Sequence, residues 1–294
     1  CNPNYGVILQ PRKFRAEAKA AKLSEGSERS FRWLRLNQWV ATKDVGWIPL
    51  TIYDKTQIGP SAKGEREEWV REHLAGKRCY GGLDLSATTD LTAFVLLFPP
   101  QEGLDSWVML PRAWRPLDGV VEAERRDHVP YRDWERAGFL HLCPGDLIDY
   151  SAVERAIYEA AEDFDLQCLG LDPALSRTLV SRLTAPYNDA GEPKPEIACI
   201  DIPQGMLHMS PPTKDLERLI RSRKMLHVHN TCARWCFGNA RCYVDANENM
   251  KLMKNRSMGR IDITVAWVIA LATATIMAAQ ETFDKTTLGE DWSL

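Results

Sequence analysis

Residues 79–98 are apolar almost throughout, and no other stretch restricts the fold of this chain as strongly. Two strand-like runs, 79–86 and 91–98, flank the polar turn Ala87-Thr88-Thr89-Asp90, and together they read as a hairpin. Residues 107–114 predict a third strand. After it, helical and extended patterns alternate. A helix is expected over 151–163, with Val153, Ala156, Ile157 and Ala160 on one side, and a short strand over 166–171. A helix then follows Pro173 to about residue 183, with a strand at 196–202, a helix at 213–223 and a small hairpin at 243–253. A long apolar helix covers 261–280. Antiparallel strands followed by alternating helices and strands predict a mixed α/β sheet flanked by helices.

Residues 1–75 differ from this pattern. Residues 12–22 are Ala/Lys-rich and helical, 27–40 predict a second helix, the segment around 47–53 reads as extended, and 65–74 form a helix ended by Gly76. Their apolar content is too sparse for a core of their own, so the expected division is 1–75 as an appendage and 76–294 as the main domain. The chain has 294 residues and opens on Cys1 rather than Met, which reads as a fragment or a processed product. No signal peptide opens it. The most apolar stretch, 263–279, is read as a buried helix, and no run of about 18 apolar residues is expected to span a bilayer. The eight cysteines include no Cys-x-x-Cys unit and are expected to be reduced core thiols. Net charge is -3, but residues 205–262 carry eleven Lys/Arg against five Asp/Glu, and the remainder 26 against 35. A basic face on an acidic body suits a polyanionic partner.

Three aspartates stand out. Asp84 lies inside the apolar run Tyr80-Gly-Gly-Leu-Asp-Leu-Ser86, where a carboxylate without a partner carries a large desolvation penalty. The two glycines before it leave room for another group to approach. Asp172 follows the predicted strand and precedes Pro173, and Asp262 opens the final helix. Each has a plain structural reading: a sheet-end Asp bonded to amides, a helix cap, and a first-turn acid favoured by the helix dipole. If the three converge at one end of the sheet, their mutual repulsion requires cations, and hard oxygen ligands select Mg2+ or Mn2+. Two such ions could activate a water and stabilise the leaving oxygen of a phosphodiester. Lys251, Lys254, Arg256 and Arg260, just before Asp262, read either as DNA-backbone contacts or as a solvated hairpin edge. His227, His229, Cys232, Cys236 and Cys242 lack paired zinc-knuckle spacing, and a core helix with incidental thiols is the better reading.

The segments Gly82-Leu-Asp-Leu-Ser-Ala-Thr-Thr-Asp-Leu-Thr92, Leu169-Gly-Leu-Asp-Pro173, Gln204-Gly-Met-Leu-His-Met-Ser-Pro211 and Arg260-Ile-Asp262, in that order, resemble the large terminase subunit of tailed phages. Lys214, Glu217, Asn230, Trp235, Asn239 and Lys254 match that family at suitable spacings. Asn2-Pro-Asn-Tyr-Gly6 and Leu36-Asn-Gln-Trp39 resemble the exit from its ATPase domain. The resemblance implies a ribonuclease-H-like nuclease fold with Asp84, Asp172 and Asp262 as metal-binding acids, and residues 1–75 as the end of the ATPase domain. It implies cleavage of concatemeric double-stranded viral DNA during packaging, in the host cytoplasm at the portal vertex of the procapsid. Partners would be the small terminase subunit, the portal protein and the ATPase domain, with no membrane involved. Two departures exist. The phosphate-binding loop is missing, its nearest approach being Gly59-Pro-Ser-Ala-Lys-Gly64-Glu65, so no ATP hydrolysis is expected. Ile263 also stands where the family usually has Gly. Another ribonuclease-H-like strand-transfer enzyme or resolvase would share the acids but not the 204–205 and 2–3 segments. In a non-catalytic packaging adaptor the acids would be caps and turns only.

Overall fold

The computed structural model describes residues 6, 10–21, 31–32, 35–36, 46–86, 91–188, 191–245, 247–254, 257 and 259–288, giving backbone alone for 174, 175 and 284–288. Two units are present, one comprising 1–45 with 246–248 and the other 46–245 with 249–294. In the first, α1 (Pro11–Ala21) places Phe14 against Phe31, with ring centroids 5.1 Å apart, and Glu17 pairs with Arg35 at 3.1 Å. The expected turn 87–90, Asp90 included, lies outside the described residues, as does most of the expected helix over 27–40.

The second unit is built on an eight-stranded sheet. Its strands are β1 (Gln57–Ile58), β2 (Arg78–Asp84), β3 (Thr92–Phe98), β4 (Trp107–Pro116), β5 (His141–Cys143), β6 (Asp165–Leu171), β7 (Cys199–Asp201) and β8 (Met225–Val228). They run in the order β1-β8-β4-β3-β2-β6-β7, with β5 also pairing β4. The β2–β3 and β3–β4 pairs are antiparallel and the others parallel. This is the expected mixed α/β sheet flanked by helices. Every residue of β3 is buried because both faces are covered. Ala93, Val95 and Leu97 join the core beneath the last helix, α10 (Asp262–Leu288). Phe94, Leu96 and Phe98 join the opposite core, which packs under α3 (Lys63–Leu74), α6 (Tyr150–Asp163) and α7 (Pro173–Leu183). The strict alternation follows from the two-residue period of a strand. A small antiparallel hairpin of β9 (Cys242–Val244) and β10 (Met250–Leu252) stands apart from the sheet.

Three expectations require correction. Residues 50–53 form the helical turn α2 (Leu50–Tyr53) after Pro49, not an extended segment, and the turn buries Tyr53 against His227 with ring centroids 3.9 Å apart. The apolar run looked strand-like because both conformations can bury it. The helix expected at 213–223 is α8 (Met206–Arg221) and starts seven residues earlier, running through Pro211 and Pro212. The carbonyls those prolines leave without donors belong to Leu207 and His208, on the exposed side of the first turns. Finally, Asp262–Phe283 is long and apolar enough to cross a bilayer by composition. However, 72% of its most apolar window is buried inside the protein, which makes it a core helix. The remaining helices are α4 (Val120–Asp127), α5 (Tyr131–Arg136) and α9 (Thr231–Asn239).

Candidate metal centre

The site starts with two glycines. In the β2–β6 register Gly82 faces Gly170, so two neighbouring strands present a patch without Cβ atoms. A Cβ on Gly82 would collide with the backbone of Ala266 and Ala270 in α10, and one on Gly170 with Thr273. The helix therefore lies directly on the strands. Asp84 is two residues beyond Gly82 and projects from the same face, while Asp262 is one helical turn before Ala266. Seating the helix on the glycine patch thus brings a carboxylate from the sheet to a carboxylate from the helix.

One cation joins them. The Lys254 ammonium lies 2.8 Å from Asp84 Oδ2 and 2.8 Å from Asp262 Oδ1. Both aspartates are nearly inaccessible, at 2% and 1% exposure, so Lys254 reaches from a partly exposed position onto two buried carboxylates. Gln204 Nε2 donates to Asp84 Oδ1 at 3.1 Å, and Lys251 Nζ donates to the Gln204 carbonyl, tying the loop before α8 to the hairpin. Among the described residues, none gives buried Asp262 Oδ2 a hydrogen bond. Burial pushes the Asp84 carboxyl up to about 6; Lys254 opposes the shift and Asp262 adds to it. Burial works to depress the Lys254 ammonium, but the two carboxylates outweigh it and hold the group above its usual value.

Asp172 stands at the adjacent strand end. Leu83 pairs with Leu171, so Asp84 and Asp172 each sit one residue past the same rung of two parallel neighbours, which lie about 4.8 Å apart. Asp172 is half-buried, and its carbonyl accepts the Ser176 hydroxyl at 2.8 Å in the first turn of α7. Among the described residues no three His, Cys, Asp or Glu side chains are gathered closely enough to hold a metal as they stand. The donor set still fits a hard divalent cation: two buried carboxylates share one ammonium, and one of their oxygens has no partner among the described residues.

Of the basic candidates, Lys251 and Lys254 belong to this network rather than to a solvated edge. Arg260 is held near Asp127, with Nε 3.9 Å from Oδ2, and Arg256 lies outside the described residues. His227 is buried and stacked on Tyr53, and Cys232 and Cys236 are buried on α9. Sequence reasoning assigned no role to Gln204, although the Gln204-Gly205 pair in a predicted loop was a signal for it. It gave no sign of Arg126 and Asp127. These two line a cleft of about 270 Å³ beside Asp262, together with Lys254 and Arg260.

Residues 1–278 match the family model described as the terminase large subunit, endonuclease domain. The large terminase subunit of Enterobacteria phage HK97 is 30% identical over 93% of this chain and 50% of its own length. Protein YmfN of Escherichia coli K12 is 23% identical over 96% of this chain and 60% of its own. The crystal structure of the HK97 large terminase superimposes with a TM-score of 0.64 at 27% identity, covering 92% of this chain and 52% of that one. The chain thus spans between half and three-fifths of the length of these curated relatives. A match over nearly the whole sequence, on a sheet of the same architecture, places the chain in the terminase large-subunit endonuclease family.

Proposed function

We propose that the chain is a metal-dependent endonuclease that cuts concatemeric double-stranded viral DNA during genome packaging, with Asp84, Asp172 and Asp262 as its metal ligands. The observation that carries this reading is the joining of buried Asp84 and Asp262 by Lys254, beside the strand end that bears Asp172. Two buried carboxylates held at one cation form a site built for positive charge, and carboxylate oxygens favour Mg2+ or Mn2+. A pair of such ions supplies water activation and charge stabilisation on the leaving oxygen. The protein's own groups set the geometry. Gln204 fixes one oxygen of Asp84, the glycine patch fixes the spacing of Asp84 from Asp262, and Lys254 neutralises the two acids until divalent cations take over that role. Lys251, Lys254, Arg256 and Arg260 contact the DNA backbone, positioning it without reading sequence.

The HK97 relative is named as a terminase large subunit, and the same assembly is proposed here. Residues 1–75 follow from the end of an ATPase domain, and the DNA-cutting chain works with that domain, the small terminase subunit and the portal protein at the procapsid portal vertex in the host cytoplasm. Cleavage itself needs no ATP from this chain.

The test is plasmid cleavage in Mg2+ or Mn2+ without ATP, on wild type and on Asp84→Asn, Asp172→Asn and Asp262→Asn, alongside thermal melting. Asn keeps the shape and caps a helix about as well as Asp. The three variants should fold and lose most cleavage. Wild-type cleavage by both Asp172→Asn and Asp262→Asn would reduce the acids to caps and turns, as in a packaging adaptor.

A further inference from the structure

The cleft beside Asp262 contains an arginine whose setting exceeds that of a surface ion pair. Arg126 lies in the last turn of α4 and is 55% exposed in its side chain, whereas its partner Asp127 is only 11% exposed. Arg126 grips that carboxylate as a fork, Nε to Oδ1 at 2.7 Å and Nη2 to Oδ2 at 3.0 Å. Asp127 is itself anchored, because the Tyr131 hydroxyl donates to Oδ2 at 2.7 Å and Arg115 lies 4.7 Å over the Tyr131 ring. Burial favours the neutral acid, but the hydrogen bonds from Arg126 and Tyr131 prevail and keep Asp127 below the usual carboxylate range. His128, at a left-handed φ of 54°, turns the chain sharply after this pair and holds both residues at the end of the helix.

An exposed arginine normally loses side-chain entropy when it is ordered and gains little from one carboxylate. Here the ordering is done by a half-buried acid that the Tyr131 hydroxyl holds in place. The fork uses Nε and Nη2, and Arg126 lines the cleft together with the cationic Lys254 and Arg260. A planar guanidinium held in this way suits phosphate oxygens. We infer that Arg126, positioned by Asp127, binds a phosphate of the DNA backbone next to the one that is cut. This inference rests on the nuclease reading above. It adds a binding residue, Arg126, and a positioning residue, Asp127, to the acids and to the lysines of the hairpin.

Binding of a short fluorescent duplex, followed by anisotropy in EDTA across a range of KCl, isolates this contact from metal and catalysis. One lost phosphate contact removes about 0.9 from the slope of log K against log salt. Arg126→Ala should therefore bind more weakly, and its deficit should shrink about 3.5-fold between about 50 and 200 mM salt. Arg126→Lys should retain the slope with reduced affinity, because the charge stays but the fork is lost. Asp127→Asn should weaken binding with the slope intact, since the cation remains but is no longer held. Arg155→Ala, on α6 across the sheet, serves as the comparison and should bind as wild type. A wild-type slope and affinity for Arg126→Ala, or an equal slope loss for Arg155→Ala, overturns the inference. Wild-type affinity in Asp127→Asn overturns its positioning role. Manganese calorimetry separates the two readings. A wild type that binds no Mn2+ defeats the metal-nuclease reading, whereas the EDTA slopes decide Arg126 alone.

Discussion

Replacing Gly82 by Ala probes how the fold sets the distance between the two buried acids. The added Cβ would lie 2.8 Å from Ala270 Cα, and closer still to Ala266 O and Ala270 N, where ordinary contact begins at 3.4 Å. These are backbone atoms of a helix, so no side chain can swing aside, and α10 must lift by about 1 Å. Overpacking of this kind costs about 1–3 kcal/mol, offset by up to about 1 kcal/mol from the reduced freedom of the unfolded chain. A net loss of roughly 1–2 kcal/mol lowers the melting temperature by about 2–8 °C in a domain of this size. The effect on cleavage should be larger than stability alone predicts. Lifting the helix moves Asp262 away from Asp84, and a shift of about 1 Å in reacting geometry can cost about 100-fold. Gly81→Ala is the matched comparison. Its Cβ meets Leu169 Cδ1 at 2.6 Å, the movable end of a side chain in the opposite core. It should lose stability yet keep cleavage. Differential scanning fluorimetry and plasmid nicking on both variants are the assays. Wild-type cleavage by Gly82→Ala, or an equal loss in Gly81→Ala, would refute the seating of α10 as the element that sets the site.

Lys254→Met leaves two buried carboxylates without their shared cation, so the metal-free protein should lose about 1–3 kcal/mol at neutral pH, less than a fully buried pair because the lysine is 44% exposed. Melting in EDTA and in Mn2+ checks this, and Mn2+ should restore most of the loss. His227 is pushed down to about 4 by burial, although its ring donates to the Tyr53 carbonyl at 3.1 Å. An unfolded histidine titrates near about 6.5, so the unfolded chain takes up this proton first as pH falls. The stability held above pH ~6.5 is lost progressively towards pH ~4, up to about 3 kcal/mol. His227→Phe, which keeps the ring stack without the titration, should flatten that acid limb in melts across pH.

Much of this architecture was legible in the sequence because the strands are short, apolar and well separated. The hairpin 79–98 and the helix opening at Asp262 carry burial patterns that propensity reads directly. The α2 turn and the start of α8 were not legible, since both depend on tertiary burial overriding local signals: Tyr53 against His227, and a helix continuing through Pro211 and Pro212. At the site, the residues Gly81-Gly82 did announce a close approach, and Gly82 supplies it. That Lys254 reaches the acids was hidden, because a lysine in a charged hairpin reads equally well as solvated. Arg126 and Asp127 lay outside any recognisable spacing. Their significance comes from Tyr131 and from a cleft that forms only when α4 and the segment before α10 meet.

Crystals soaked in MnCl2 and measured at the manganese edge test the three-acid centre most directly. The account predicts an anomalous peak within about 2.3 Å of carboxylate oxygens of Asp84 and Asp262, with Asp172 turned towards it and the Lys254 ammonium displaced from its bridge. No peak at saturating Mn2+, with Lys254 still joining Asp84 to Asp262, would contradict it.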